Sequence, residues 1–358
     1  MSTGSKFFDE IVRATGIELD VARIGEPAVT ECLDWSYGLS GALTRIDTEK
    51  DDTFVLDTGN RRFLVKVAPH AEDPAVVNLQ SAAMLHLEET APHLPVQRLI
   101  RGVDGQMETP IADAQGRPRV LRVMSYLEGA LLRGAVSTAS QLQSVGSMMA
   151  RVDNALATFH HPADDRLLLW DMRLFPHMRR LVDHVADTAD RGLAHRLFDE
   201  FDRRVTPVLD SLESQVIHGD FSPFNIVVDE QRPEFVSGVI DFGDVMRSAV
   251  LFEIGVAVAN QLGRDESDPW AQAAEIVRGY RQVRPVDPET VELLAVAGPA
   301  RLLLRALVYG WRAVVDPKSR DYGLLHSAQD WRQLRLALAV GDTAIRERLA
   351  ETGRTRVC

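Results

Sequence analysis

The fold of this chain is decided between residues 216 and 244, which read VIHGDFSPFNIVVDEQRPEFVSGVIDFGD. Within this stretch Asn225 follows Asp220 by five positions, and an Asp-Phe-Gly turn comes later, at residues 241–243. Apolar runs precede, separate and follow these polar residues, which predicts short strands that hold them at strand ends. Kinases carry an aspartate and an asparagine at this spacing in the catalytic loop, and they bind metal at an Asp-Phe-Gly turn. The two motifs in this order predict a phosphoryl-transfer site.

The residue types suit that chemistry. Phosphoryl transfer needs an aligned acceptor hydroxyl and neutralised charge on the triphosphate. Asp220 is placed to orient the hydroxyl and take its proton, while Asn225 and Asp241 offer an amide oxygen and a carboxylate to Mg²⁺, which accepts few protein ligands. The alternative is that these are ordinary loop residues, and it is disfavoured because both motifs occur in order, each after a β-rich run.

The upstream sequence predicts a sheet with a lysine near the end of an apolar strand. Residues 53–56 and 61–67 are typical of strands, and the turn Asp57–Asn60 joins them. Lys66 lies in the second strand, where a kinase needs a lysine to reach the α- and β-phosphates. We therefore expect an α+β, bilobal, protein-kinase-like fold. Its nucleotide-binding N-terminal lobe would span residues 1–126, an antiparallel sheet with one helix and a short leader, and a larger, mainly helical lobe would span residues 127–358.

At this point the chain resembles the aminoglycoside phosphotransferase superfamily of kinase-like enzymes, which act on small hydroxylated molecules. Within it, the chain is most similar to the hydroxylysine kinase group. The likeness covers roughly residues 30–315. The segments that carry it are Tyr37–Gly41, Phe63–Val67, Leu121–Gly129, Val216–Asn225 and Ser237–Asp244.

The resemblance implies specific roles. Asp220 would be the catalytic base, Asn225 and Asp241 the magnesium ligands, and Lys66 the phosphate contact. A hinge at residues 124–127 would hold the purine of ATP or GTP through the backbone of Ser125 and Leu127.

Two further residues are expected to support the catalytic loop. Glu253 lies in an almost wholly apolar helical stretch, where an unpaired carboxylate is costly. We expect it to accept hydrogen bonds from the backbone around His218, although a partly exposed glutamate at the core edge is an equal alternative. His218 is expected to pack and hydrogen-bond beneath the loop rather than to carry a proton.

The sequence departs from the kinase pattern at two places. The kinase lysine normally pairs with a glutamate on the following helix, but Asn78 occupies that position, with Glu72 too early and Glu88 too late. The partner of Lys66 therefore stays open. The loop of residues 47–53 also lacks a G-x-G-x-x-G motif, so backbone and hydroxyl groups would have to contact the phosphates.

The acceptor is expected to be a small cation. No activation segment separates Asp244 from the following helix, which excludes a protein kinase. The 40 basic and 52 acidic residues give a net charge of −12, which argues against nucleic-acid binding and favours a cationic substrate. Asp244 and Asp171 are candidate substrate contacts, and a helix N-cap is the alternative for Asp171. An amino alcohol such as 5-hydroxylysine is the first choice. An aminoglycoside is the second, and a catalytically silent nucleotide-binding pseudokinase is the alternative of another class.

Other features predict a cytoplasmic protein. Cys32 and Cys358 are the only cysteines, which suits a reducing compartment. Residues 1–10 lack an apolar signal core, and Arg301 and Arg305 interrupt the most apolar C-terminal stretch. We therefore expect no membrane association, and the sequence indicates no protein partner.

Overall fold

The computed structural model of the chain describes residues 3–16, 23–48, 50–135, 137–316 and 320–353. Cys358, and Glu49 within the loop of residues 47–53, lie outside them. The helices are α1 Thr3–Thr15, α2 Glu26–Tyr37, α3 Pro74–Thr90, α4 Ala139–Leu156, α5 Thr188–Arg204, α6 Val250–Ala259, α7 Ala271–Val283, α8 Pro288–Val315, α9 Arg320–Ala339 and α10 Asp342–Ala350. The strands are β1 Ala42–Ile46, β2 Asp52–Asp57, β3 Arg62–Val67, β4 Leu99–Ile100, β5 Thr109–Ala112, β6 Pro118–Ser125, β7 Ala130–Leu131, β8 Ser214–Ile217, β9 Ile226–Val228, β10 Val236–Val239 and β11 Met246–Ala249.

The N-terminal sheet is antiparallel and has the order β1-β2-β3-β6-β4, with β5 also paired to β6. Side chains on successive strand positions face opposite sides. Val65 and Val67 therefore pack in one cluster with Leu33 of α2, whereas Lys66 lies on the other face. Thr53 and Arg122 flank Lys66 on the neighbouring strands.

Two helices in the first 40 residues differ from the expectation of one helix and a short leader. Helix α2 has a proline in its first turn, which is a common signal at the start of a helix. Gly38, whose φ is 63°, follows its last residue and is a common signal at the end of a helix. Helix α1 packs against the helical half of the molecule, where Phe8 contacts Trp311 at a ring-centroid distance of 5.8 Å. The lobe boundary at residues 126 and 127 stays a prediction.

The two motifs of residues 216–244 lie on short antiparallel strands. The catalytic loop of residues 218–225 connects β8 to β9, and the Asp-Phe-Gly turn connects β10 to β11. Strand β9 pairs with β10, and β8 pairs with β11, so both polar segments are brought together at strand ends.

The remaining described residues are mostly helical. Helix α8 runs through the centre of this half and is buried along most of its length, with α6, α5 and α9 packed around it. Among the described residues, no helix is long and apolar enough to cross a bilayer. The predicted α+β class is confirmed.

Candidate active site

Asp220 lines the main cavity, and its neighbours among the described residues bind only one of its two carboxylate oxygens, Oδ2. Asn225 Nδ2 donates hydrogen bonds to Asp220 Oδ2 at 2.7 Å and to the Asp220 carbonyl at 3.0 Å. Ser222 Oγ donates to the same Oδ2 at 3.3 Å. Within the described part of the chain, Asp220 Oδ1 has no hydrogen-bond partner, which leaves this oxygen for a group in the cavity. Burial raises the pKa of Asp220, although the guanidinium of Arg301 opposes that shift.

His218 is fully buried beneath the catalytic loop. Its Nε2 lies 3.1 Å from the carbonyl of Ile240, which can only accept, so Nε2 carries the proton. Its Nδ1 accepts a hydrogen bond from Asp220 N–H at 3.3 Å. Because Nδ1 accepts, the ring must be neutral, and burial lowers the pKa of His218 accordingly. These contacts fit a packing and hydrogen-bonding residue.

Glu253 on α6 is also fully buried, which excludes the partly exposed alternative. Its Oε2 accepts a hydrogen bond from Gly219 N–H at 2.9 Å, the kind of backbone contact expected of it. Its Oε1 has no partner among the described residues. Burial raises the pKa of Glu253 well above its usual value, and the nearby carboxyl group of Asp153 adds to the shift.

Lys66 reaches the Asp-Phe-Gly turn directly. Its Nζ donates to Asp241 Oδ1 at 2.8 Å and lies 3.7 Å from Asp51 Oδ2. Although burial alone would lower the pKa of Lys66, these two carboxylates raise it. Asp241 has a φ of 61°, and its carboxylate also accepts from Gly243 N–H at 3.1 Å. Because Asp51 belongs to the loop before β2, it was missed as a partner of Lys66.

Helix α3 has no glutamate at the position that pairs with the lysine in kinases; Asn78 occupies it, and the side-chain amide of Gln80 reaches the Asp-Phe-Gly turn. Asn78 is held by Glu108 at 3.2 Å and by His161 at 3.1 Å. Gln80 Nε2 donates to the Gly243 carbonyl at 3.1 Å, which connects α3 to the Asp-Phe-Gly turn. Glu72 forms an ion pair with Lys50.

The cavity has a volume of about 930 Å³ and extends from the β1–β2 loop to α9. Thr48 and Thr53 line the part of the cavity next to the N-terminal sheet, and their contact with donor phosphates stays a prediction. Ser125 and Leu127 do not line it. The amide of Ser125 donates to the Arg98 carbonyl at 2.8 Å, and its own carbonyl accepts from Gln97 Nε2 at 3.2 Å. A purine could therefore use only the second lone pair of that carbonyl together with the backbone of Leu127.

Of the two candidate substrate carboxylates, Asp244 lines the cavity and Asp171 does not. Burial followed by the charge of Asp220 raises the pKa of Asp244 to about 6. The structure contradicts a substrate contact for Asp171 and shows the alternative, a helix N-cap. Asp171 is fully buried outside the cavity wall, and it caps the 3₁₀ helix Met172–His184 by accepting from Arg173 N–H at 2.9 Å. Arg173 and Ser248 also bind its carboxylate, so no oxygen is directed at a substrate.

The far wall of the cavity contains charged residues that the sequence did not identify as part of a site. Arg301 and Arg305 lie one turn apart on α8, and Asp330 of α9 faces them. Arg305 binds Asp330 through two hydrogen bonds of 2.8 and 2.5 Å and donates to Asn260 Oδ1 at 2.7 Å. Two arginines four positions apart in an apolar helix require buried partners. This requirement could have indicated from the sequence that Arg301 and Arg305 belong to a site.

Asn225 and Asp241 fit the needs of a magnesium ion. Asn225 donates to Asp220 through its Nδ2, and its side-chain Oδ1 has no hydrogen-bond partner among the described residues. Asp241 Oδ1 is taken by Lys66 and Gly243, which leaves Oδ2. In the described ranges, no three His, Cys, Asp or Glu side chains form a metal cage. Magnesium needs only one or two protein oxygens when phosphates and waters supply the rest.

Comparison with known proteins agrees with these motifs. The sequence profile of the phosphotransferase enzyme family matches residues 43–293. Hydroxylysine kinase of Danio rerio is 23% identical over 334 residues, which cover 89% of this chain and 93% of that protein. The Mus musculus enzyme is 22% identical over 66% of this chain, and the match spans slightly under two thirds, 65%, of that protein. Homoserine kinase of a Chelativorans species is 30% identical over 69% of this chain and 74% of that protein.

Solved structures show the same fold at low identity. A microcompartment-associated aminopropanol kinase superposes with a TM-score of 0.70 at 19% identity, covering 88% of this chain and 98% of that chain. An amicoumacin kinase in complex with AMP-PNP and Ca²⁺ gives a TM-score of 0.67 at 14% identity, covering 87% and 93%. The predicted kinase-like fold is confirmed.

Proposed function

Because the chain belongs to the phosphotransferase enzyme family, we propose that it transfers the γ-phosphoryl group of ATP or GTP to a hydroxyl group of a small amine-bearing metabolite. The first choice of acceptor is 5-hydroxylysine or a similar compound. One observation carries the proposal: Asp220 lines the cavity between the Lys66–Asp241 pair and the α8–α9 wall, with Oδ1 unoccupied by the described residues.

The proposed chemistry assigns one task to each side chain. Asp220 Oδ1 accepts the hydrogen bond of the acceptor hydroxyl and takes its proton as that oxygen bonds to the γ-phosphorus, while the bond from phosphorus to the β-phosphate oxygen breaks. Lys66 neutralises charge on the donor phosphates. Asn225 and Asp241 would hold Mg²⁺, which neutralises and bridges donor phosphate oxygens when bound. Ser125 and Leu127 would contact the purine.

The relatives narrow the acceptor class. The hydroxylysine and homoserine kinases are named for amino acids that carry a side-chain hydroxyl. A polycationic aminoglycoside fits less well, because Arg301, Arg305 and Arg264 line the same cavity as Asp244 and Asp330. A silent pseudokinase is disfavoured because Lys66, Asp220, Asn225 and Asp241 are all present. Action in the cytoplasm stays a prediction.

A coupled nucleotide-turnover assay with Mg²⁺ tests this function across hydroxy amino acids, amino alcohols, neutral polyols and aminoglycosides. We expect the highest kcat/KM for a hydroxy amino acid, with Asp220→Asn as the background control. Preference for a neutral polyol would contradict the charge argument, and preference for an aminoglycoside would establish the second choice. Nucleotide binding without transfer to any compound would support the pseudokinase.

A further inference from the structure

Arg301 is a buried cation whose charge is not matched by a hydrogen-bonded carboxylate in the described structure. It is 6% exposed, it lines the cavity, and its Nε has no hydrogen-bond partner among the described residues. Its guanidinium carbon lies 5.1 Å from the ring centroid of Trp170. Burying a cation without a hydrogen-bonded anion is costly, so the site favours an anion that arrives from the cavity.

The neighbouring arginine does not share this property. Arg305 is bound on both sides of its guanidinium by Asp330 and by Asn260. Helix α8 thus places two guanidinium groups a single turn apart on the same cavity wall, one hydrogen-bonded to a carboxylate and one without a hydrogen-bonded carboxylate among the described residues.

Arg301 lines the cavity together with Asp220 and Asp244, the part that the proposed function assigns to the acceptor. Its charged neighbours are Asp220, Arg305 and Asp244, and burial lowers its pKa. The charged neighbours of Lys66 are instead Asp241, Asp51 and Arg122. Arg301 thus interacts with Asp220, whereas Lys66 interacts with Asp241 of the turn assigned to the donor phosphates.

We propose that Arg301 binds the carboxylate of the acceptor, so that the enzyme distinguishes a hydroxy amino acid from the corresponding amino alcohol. The inference rests on the proposed function and adds the specificity-determining residue. A guanidinium matches a carboxylate through two parallel hydrogen bonds, and the Trp170 ring packs beside that of Arg301. The acceptor ammonium group then faces Asp244, whose carboxylate lines the same cavity.

The test compares acceptors that differ only in the carboxylate, such as homoserine and 3-aminopropan-1-ol, on wild type and on Arg301→Gln. We expect wild type to prefer the amino acid by about 10- to 100-fold in kcat/KM, the usual worth of hydrogen bonds to a charged group. In Arg301→Gln that preference should fall to a few-fold through a higher KM for the amino acid, with the amino alcohol nearly unchanged. Rates are taken on the pH plateau, because loss of the Arg301 charge also affects Asp220.

Arg133→Gln is the matched control, since Arg133 is an exposed cation on another part of the cavity wall. It should keep the wild-type preference and thereby exclude a general charge effect. Arg301→Lys, which keeps the charge but not the paired geometry, should give an intermediate preference. If both Arg301 variants fail to fold, the wild-type preference decides, together with calorimetric binding of the two acceptors.

Two outcomes would overturn the inference. Equal kcat/KM of wild type for both acceptors would show that the carboxylate is not recognised. An equal fall in kcat for both acceptors in Arg301→Gln would assign Arg301 to the transferred phosphoryl group. Failure of the proposed function looks different: the amino acid would bind in calorimetry more tightly than the amino alcohol, yet neither would be phosphorylated.

Discussion

Asp220 lies between charges of opposite sign, and their balance determines its basicity. Burial and the carboxylate of Asp241 raise its pKa, while Arg301 and Arg305 lower it. Asn225 and Ser222 both bind Oδ2, so the carboxylate is oriented without losing its second oxygen. A base that is oriented on one oxygen and exposed to the cavity on the other suits transfer of a hydroxyl proton.

The first prediction concerns this base. Asp220→Asn should lower kcat by about 10²–10⁴, the range lost with a positioned base, because an amide cannot take the proton. Nucleotide binding, measured by calorimetry, should stay close to wild type. Ser222→Ala is the control, since it removes only the 3.3 Å contact and should cost much less. A folded Asp220→Asn variant with turnover within a few-fold of wild type would exclude Asp220 from the mechanism.

The second prediction concerns pH. Burial raises the pKa of Asp220, and burial with the charge of Asp220 raises the pKa of Asp244 to about 6. Protonation of these carboxylates should reduce kcat/KM as the pH falls. Asp244→Asn removes a negative charge beside Asp220, which lowers the pKa of Asp220 and should move the acidic limb to lower pH. Profiles of kcat/KM from about pH 5 to 8 measure the shift. An unchanged limb, or one moved to higher pH, would contradict the coupling.

At the scale of elements, helix α6 anchors the catalytic loop through Glu253, which gives the third prediction. The raised pKa means that the folded protein holds a proton on Glu253 that the unfolded chain releases above the ordinary glutamate pKa of 4.5. The contribution of Glu253 to the free energy of unfolding should therefore fall as pH rises above that value, by up to about 1.4 kcal/mol per pH unit. Glu253→Gln lacks this dependence and keeps an oxygen for Gly219 N–H, so its advantage in Tm should grow with pH.

Glu253→Ala is the contrasting variant. It leaves the buried amide of Gly219 without an acceptor, which costs about 1–3 kcal/mol, and should lower both Tm and kcat. A Tm difference between wild type and Glu253→Gln that does not change with pH would show that Glu253 is ionised in the folded protein.

The contact between α4 and α7 yields the fourth prediction. A Cβ atom on Gly146 would lie 2.0 Å from the carbonyl oxygen of Ile276, so Gly146→Ala should force the helices apart. Overpacking of this kind costs about 1–3 kcal/mol or more. Gly192→Ala in α5 is the matched control: its nearest neighbour is a flexible arginine atom at 3.5 Å, and the change should stabilise by up to about 1 kcal/mol. Urea unfolding measures both, and equal effects would contradict the close-packing argument.

Features formed by residues close together in the sequence could be predicted from it, whereas contacts between separate segments could not. Asp220, Asn225 and Asp241 belong to contiguous motifs, and the strands around them follow from short apolar runs, so both could be predicted. Asp51 and Asp330 come to the cavity from distant segments, and their contacts exist only once the chain has folded. For Asp171 the sequence left a substrate contact and a helix N-cap open, because the same carboxylate suits both roles, and the structure shows the cap.

At the scale of the whole molecule, Lys66 and Asp241 connect the N-terminal sheet to the Asp-Phe-Gly turn, and the same turn is proposed to bind magnesium. A bound nucleotide would contact both sides of this cavity, so its binding should stabilise the entire chain. A ligand present at 100 times its Kd adds about 2.7 kcal/mol to the free energy of unfolding.

The last prediction uses this linkage to test the metal site. For wild type, the Tm increase caused by ADP should be larger with Mg²⁺ than with a chelator, because the metal adds contacts between the phosphates and Asp241. Asp241→Ala should lose most of the magnesium-dependent part, and Asn225→Ala should need more Mg²⁺ to reach it. Asp244→Asn is the control, because Asp244 is adjacent in sequence but is assigned to the acceptor, and it should keep the full magnesium increment. Equal losses of Tm shift with and without Mg²⁺ in Asp241→Ala would mean that this carboxylate acts only by holding Lys66.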